Sequence, residues 1–415
     1  MSVSEHAVCL GCGCACDDIS VAVEGGRITA ATNTCSLGVA WYGDGILPAR
    51  SITRGEALQS DAAIRRVAEL LATGPAMVYL APELTTEAQR EAIALADRTG
   101  ARLDSVTSDT AAAGILAGQR RGRATSTLGE IRNRADLLVF WAIDPAARYP
   151  RFLSRYALNP SGTNVPAART VVAVDIGGAR GPAEASARLG LAPADEAGAL
   201  GIMRATLAGR DIPGLSPALK AAADLARQMS RARYVALVHD AEPGDGPADS
   251  QRAEGLVGLA QALNRPTRCA LATLRAGGNR SGADAAMTWQ TGFPFAVDFG
   301  SGFPRYRPEE PGSIALGGIA SVLVVGAIHR LPAAVLAALG GRRVAVVGPR
   351  ASEAPFPTDV AIDTGVAGIH EAGIAYRMDD VPLPVPALLP GPPPTRTILR
   401  AVAAAVAAAP ATASR

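Results

Sequence analysis

The stretch AMVYLAPELTTEAQREAIALADRTG, residues 76–100, decides the fold class. It opens on a short run without polar alternation, as a strand buried on both faces of a parallel sheet reads. A helix follows. Thr85 or Thr86 supplies the cap, Glu87 and Glu91 lie near its positive start, and Gly100 stands just past its end. A strand delivered straight into a helix is half of a βαβ unit.

Outward from this stretch the pattern repeats. AAIRRVAELLATG (62–74) has helical periodicity and stops at Gly74. DLLVFWAID (136–144), RTVVAVDIG (169–177), YVALVHD (234–240) and RCALATL (268–274) are further apolar runs, with helical stretches at 195–209, 218–232 and 253–264 among them. A Gly/Pro/aromatic segment at 291–312 reads as an ordered irregular loop. Then ASVLVVGAI (320–328), RRVAVVGPR (342–350) and TDVAIDTG (358–365) resume the alternation. ALLPGPPPT (387–395) is a proline-rich connector to a terminal helix near 397–409. The class is α/β, with parallel sheets of the Rossmann kind.

At 415 residues the chain is too long for one ordinary domain. Its formal net charge is +2, so no global field recruits nucleic acid or an anionic membrane. Lys220 is the only lysine, a coding bias with no evident function. The start lacks the basic and apolar regions of a signal peptide, and no apolar stretch is long enough to span a bilayer. A cytoplasmic location is therefore expected, and a reducing compartment disfavours disulfides.

Five of the six cysteines lie between residues 9 and 35: Cys9, Cys12, Cys14, Cys16 and Cys35. Cys9, Cys12 and Cys16 form a C-x2-C-x3-C triplet, and Cys35 is a distant fourth. The hairpin DISVAVEGGRITAAT (18–32), turning at Gly25 and Gly26, brings that fourth thiol back to the other three. Four thiolates on one lobe suit an iron–sulfur cluster first, with a four-cysteine zinc site as the alternative. Cys14 is a spare thiol.

The remaining signals are weaker. His6, His239, His329 and His370 are dispersed, and a lone histidine at a strand end is most often structural. Asp175 with Gly177 and Gly178 ends a strand where backbone amides can approach a cofactor phosphate. The plainer reading of those glycines is a tight strand-to-helix turn. Arg275 follows RCALATL, where a guanidinium can hold an anionic substrate or pair on the surface.

VCLGCGCACDDI (8–19) with NTCSLG (33–38) resembles the amino-terminal cluster motif of the B subunit of formylmethanofuran dehydrogenase, a relative of the molybdopterin formate dehydrogenases. The resemblance continues through LGEIRNRADLLVFWAIDPAARYPRFLSRY (128–156), TWQTGFPFAVDFGSGFPRYRPEE (288–310) and GIHEAGIAYRMDDVP (368–382). It implies an iron–sulfur lobe over 1–54 and a discontinuous α/β domain over 55–134 plus about 285–385. A second α/β domain would span 135–284, with a connector and helix over 386–415. These are the first three domains of the formate dehydrogenase and DMSO reductase architecture, in which two α/β domains sandwich a bis-pterin tungsten or molybdenum cofactor. The resemblance also places Cys9, Cys12, Cys16 and Cys35 on the ligands of a [4Fe–4S] cluster, and Arg275 on the active-site arginine.

One departure decides the expected function. In that family a cysteine or selenocysteine binds the metal and precedes a histidine. Counting back without a gap from GEIRNRAD (129–136), the pair falls on Thr110 and Ala111, and no cysteine stands between Cys35 and Cys269. A threonine hydroxyl is a poor substitute for a soft thiolate on tungsten, and alanine relays no proton. The histidines that relatives carry before RYPRF (148–152) are also missing. The resemblance thus implies the retained B subunit of a formyltransferase/hydrolase complex that holds no molybdopterin. Such a complex moves a formyl group from tetrahydromethanopterin to a methanofuran-like carrier and hydrolyses it to formate. The chemistry lies in partner subunits, a formyltransferase and a zinc amidohydrolase, accompanied by a small β-rich subunit. A working tungsten or molybdenum dehydrogenase interconverting CO2 and formylmethanofuran is the alternative.

Overall fold

The structure, a computed structural model, describes residues 2–159, 169–242, 249–309 and 317–408. The chain divides into two compact units, Met1–Thr110 with Gly277–Arg415, and Ala111–Ala276.

The first unit opens with a three-stranded antiparallel sheet, β1 (Ser2–Ala7), β2 (Ile19–Glu24) and β3 (Arg27–Thr32), in that order. Gly25 and Gly26 make the β2–β3 turn at positive φ. Then come α1 (Ser36–Tyr42), β4 (Ser51–Thr53), β5 (Glu56–Ala57) and α2 (Ser60–Ala72). Residues 76–100 form β6 (Ala76–Leu80) and α3 (Thr86–Thr99). Of the two candidate caps it is Thr85 that accepts from the Ala88 amide, at 3.2 Å, and Gly100 closes the helix in the left-handed region. β7 (Arg102–Ser105) and α4 (Val106–Thr110) end this half.

The second unit contains α5 (Ala112–Arg121), α6 (Leu128–Arg134), β8 (Leu137–Trp141), β9 (Thr170–Ile176), β10 (Ala187–Leu191), α7 (Glu196–Leu207), α8 (Pro217–Arg231), β11 (Tyr234–Asp240), α9 (Ser250–Leu263) and β12 (Arg268–Leu274). Its sheet is parallel throughout, in the order β10-β9-β8-β11-β12. That is the 3-2-1-4-5 order of a doubly wound fold, whose crevice opens where the order reverses, between β8 and β11.

The first unit resumes with α10 (Arg280–Thr291), β13 (Val297–Asp298), β14 (Arg305–Tyr306), β15 (Ser321–Val325), α11 (Ala333–Leu339), β16 (Arg343–Gly348), β17 (Val360–Asp363), the hairpin β18 (Gly373–Tyr376) and β19 (Pro382–Val385), and α12 (Thr395–Ala408). Its nine-stranded sheet runs β14-β13-β7-β6-β15-β16-β17-β4-β5. The five central strands are parallel in the order 2-1-3-4-5, and both edges are antiparallel. This sheet is therefore mixed where a parallel one was expected. The segment expected to be irregular contributes the edge strands β13 and β14.

Period-two alternation explains how the central strands are covered. Ala76, Val78 and Leu80 of β6 join Leu323, Val325, Ala345 and Val347 in one core with α2, α3 and α12. Met77 and Tyr79 join Val322, Val324, Val344 and Val346 in another, with Val335 and Leu339 of α11. In the second unit Leu137, Val139 and Trp141 pack with α7, α8 and α9.

Three expected boundaries move. Residues 111–134 belong to the second unit, because Ala117 is part of its core and Arg120 and Arg121 both engage Glu254 of α9. Residues 277–284 belong to the first unit: the Gly278 amide donates to Leu10, and Ala283 enters the core beneath α3. The terminal helix is no appendage. Ile398, Leu399 and Val402 of α12 are buried in the first unit's core, each worth about 1.5–3 kcal/mol. The far end of the tail, 409–415, lies outside the described residues. Among the described residues no helix is long and apolar enough to cross a membrane.

Candidate functional site

The cysteine loop joins β1 to β2. It is closed by the Cys9 amide donating to the Cys16 carbonyl at 2.9 Å and the Ala15 amide donating to Cys12 at 3.2 Å. Cys35 is the N-cap residue of α1. None of the six cysteines is in a disulfide. Burial pushes the Cys9 thiol up to about 12. The Gly11 amide, 3.4 Å from its sulfur, works the other way, while Cys12, Cys16 and Cys35 raise it further. The other three cysteines of the spaced motif thus all act on Cys9, and Cys14 does not. A buried thiol held protonated becomes a thiolate readily only when a cation compensates it. In donor chemistry the set fits an iron–sulfur cluster or zinc, although no three Cys, His, Asp or Glu among the described residues stand in ligating geometry.

The strand order of the first unit reverses between β6 and β15. There Gly326 permits a backbone approach that a side chain would block, since a Cβ would lie 2.6 Å from the Ala81 carbonyl. Beyond these strand ends a cavity of about 300 Å³ is lined by Trp41, Tyr42, Glu83, His329, Arg330 and Arg350, among others. The Arg330 Nε donates to Glu83 at 2.8 Å. Burial holds His329 below its ordinary value. His370 is structural: it accepts from the Val366 amide and pairs with the Gly45 carbonyl at 2.7 Å.

In the second unit, groups that follow β8 and β11 bond one another. Arg148 bonds Asp240 and the Glu242 carbonyl, Tyr149 donates to Asp240 at 3.2 Å, and the Glu242 amide donates to Asp240 at 2.8 Å. Arg275, at the end of β12, donates to the Glu242 carboxylate at 3.0 Å. Burial raises Asp240 above the usual carboxylate range, with Arg148 opposing. Asp240 and Glu242 carry no motif; their only signal in the sequence is a run of acids, HDAE (239–242), directly after an apolar strand.

The other candidates are committed to the fold. The Thr110 hydroxyl is buried and donates to the Val106 carbonyl at 2.8 Å, and Ala111 is buried beside it in sequence. Asp175 accepts from the Gly181 amide at 2.8 Å and pairs with Arg180 and Arg188. These bonds outweigh burial and hold its carboxyl below the ordinary range. Gly177 and Gly178 form a tight turn closed by reciprocal bonds between Ile176 and Ala179, leading towards β10 and not into a helix. The Gly177 amide is bonded to the Leu191 carbonyl and so is not free to approach a phosphate. The Thr110 hydroxyl is thus already bonded within its own helix, and the Arg275 guanidinium is already paired with Glu242.

His239, at the end of β11, meets the Thr273 hydroxyl at 3.2 Å. Burial, with Arg123 and Arg252, pushes it down to about 3. The unfolded chain therefore takes up this proton below about pH 6.5 while the folded chain does not, so stability falls as pH drops. Between pH 7.5 and pH 5 the loss is about 2 kcal/mol. Urea midpoints at the two pH values should show it for the native chain, and the His239→Asn chain should lack this part of the slope.

No family model matches the chain. The B subunit of tungsten-containing formylmethanofuran dehydrogenase 2 from Methanococcus maripaludis is 26% identical over 416 residues, covering 94% of this chain and 95% of the relative. That of Methanocaldococcus jannaschii is 26% identical over 426 residues, covering 96% and 98%. The B subunit of the formyltransferase/hydrolase complex Fhc of Methylorubrum extorquens is 29% identical over 332 residues, covering 78% and 87%. This chain is a homologue of those B subunits. A chain of the crystal structure of the Methylorubrum extorquens complex with methylofuran superposes with a TM-score of 0.73 at 25% identity, covering 86% of this chain and 98% of that one. The mixed α/β architecture is thus that of a relative from this complex along nearly its whole length.

Proposed function

We propose that this chain is the B subunit of a formylmethanofuran dehydrogenase-like formyltransferase/hydrolase complex, serving formaldehyde-to-formate metabolism in the cytoplasm as a non-redox scaffold. The observation that carries the scaffold role is Thr110. Where the resemblance places the metal ligand, a buried hydroxyl donates back to its own helix, and alanine follows. The Glu242 carboxylate on Arg275 supports the same reading, because an anionic substrate would have to displace it. Formyl transfer and hydrolysis belong to a formyltransferase and a zinc amidohydrolase-like partner, and a small β-rich subunit completes the assembly. Cys9, Cys12, Cys16 and Cys35 hold a [4Fe–4S] cluster that supports the lobe.

Anaerobic purification of the complex, with elemental analysis and pterin extraction, tests this. We expect about four irons per chain, no stoichiometric tungsten, molybdenum or pterin, and co-purifying transferase and hydrolase subunits. The Thr110→Cys chain should show no formate-dependent dye reduction. Stoichiometric tungsten or molybdenum with pterin would establish the dehydrogenase alternative instead, and reduction gained with Thr110→Cys would show that a cofactor pocket survives.

A further inference from the structure

We propose that the cavity beyond the strand ends of the first unit is a binding site for a small organic monocarboxylate, held by the terminal nitrogens of Arg330. The site is separate from the scaffold role and needs no metal on the cysteines.

Its place in the fold is where α/β sheets bind ligands, outside the carboxyl ends of the strands and beside the reversal between β6 and β15. Every residue lining it belongs to the first unit. Leu37, Ile46 and Leu47, from α1 and the loop after it, face it together with Val366 and Ile369. At about 300 Å³ the space holds a body well beyond one carbon, at the small end of ligand cavities. Two lining residues, Glu83 at φ 71° and Arg350 at φ 54°, are non-glycine residues in the left-handed region. Such strain gathers at ligand sites and persists only where the surroundings enforce it. Glu83 is pinned on both sides: its amide donates to the Gly278 carbonyl at 2.8 Å, and its carbonyl accepts from Ala367 at 3.3 Å.

The carboxylates that line the cavity are already engaged, while donors remain open. Asp44 accepts from Arg27 at 2.8 Å and from the Ile46 amide at 3.0 Å. The Glu83 carboxylate is buried and takes the Arg330 Nε at 2.8 Å. That bond orients the guanidinium and leaves its two terminal nitrogens without a partner among the described residues. The indole N–H of Trp41, another lining residue, is buried without a partner, which is costly unless a ligand supplies one. Open donors call for an acceptor, and the planar fork of an arginine matches a carboxylate. The lining charges cancel, Arg330 and Arg350 against Glu83 and Asp44. The cavity therefore lacks the surplus positive charge that would favour a dianion such as a phosphate ester. Its apolar walls suit the body of the acid.

The probes are benzoate, its neutral twin benzamide, and the dianion phenyl phosphate, each titrated calorimetrically into the full-length chain. The chain has three tryptophans, so the Trp41 indole N–H resonance can be assigned from the Trp41→Phe chain. We expect benzoate to bind at least about tenfold more tightly than either of the others, to raise the melting temperature, and to shift the Trp41 resonance. Arg330→Lys keeps a cation for Glu83 but loses the fork, so it should fold and bind benzoate about tenfold more weakly. A native chain that binds none of the three at millimolar concentration would overturn the site. So would benzoate binding that Arg330→Lys does not weaken, or that leaves the Trp41 resonance in place, because the acid would then sit elsewhere. Benzamide binding as well as benzoate, or phenyl phosphate binding better, would overturn the carboxylate class.

Discussion

Replacing Glu242 by alanine is expected to destabilise the chain by about 3–5 kcal/mol, the largest single effect anticipated outside the hydrophobic cores. Its carboxylate is 1% exposed, and the Arg275 side chain it holds is 10% exposed. Removing the carboxylate takes away the anion 3.0 Å from a buried guanidinium and disturbs the neighbouring Arg148 and Asp240 contacts. Arg275→Met should cost a similar amount. Glu242→Leu with Arg275→Met should recover much of the loss, because an apolar pair of similar volume carries no desolvation penalty. Urea denaturation of the two single variants and the double variant measures this. Single losses below about 1 kcal/mol would mean that the network is peripheral. In the assembled complex, a scaffold role requires that Arg275→Met leave formyl transfer and hydrolysis per folded complex unchanged.

The second large effect is expected at Gly277. A Cβ there would lie 2.3 Å from the Leu10 carbonyl and 2.7 Å from the Cys12 amide nitrogen and Cα. All three are backbone atoms of the cysteine loop, so no side-chain rotation relieves the clash. The next amide, Gly278, donates to that same Leu10 carbonyl at 2.9 Å, which pins the two segments together. Gly277→Ala should therefore cost about 3 kcal/mol, at the upper end of overpacking effects, and displace the loop that carries Cys9 and Cys12. Thermal melting together with cobalt uptake by the anaerobic chain reads both consequences. A variant that melts normally and binds cobalt normally would show that the loop yields freely.

Much of the fold was legible because local chemistry and burial agree. The runs at 76–82, 136–144, 169–177, 234–240, 268–274, 320–328, 342–350 and 358–365 all contain strands. Parallel strands covered on both faces must be apolar throughout, and no other element of that length reads so. The cap at Thr85 and the stop at Gly100 are local effects and were equally plain. Unit boundaries were not, since they depend on which distant surface a helix finds. Nothing in residues 112–121 says that α5 packs on α9. The edge strands β13 and β14 are two residues each, too short to carry a periodicity.

For the candidate sites the division is similar. Sequence alone determined the α/β class, the four spaced cysteines, and the absence of a thiol and histidine at Thr110 and Ala111, because each is a matter of residue identity and short-range pattern. Only the tertiary structure decided what the remaining groups do. It spent Asp175 on Arg180 and Arg188 and set Glu242 against Arg275. Those outcomes join residues from different elements across 5 to 33 positions of chain. Hydrogen bonds and ion pairs act over a few ångströms of space, so separation along the chain does not reveal which partners will meet.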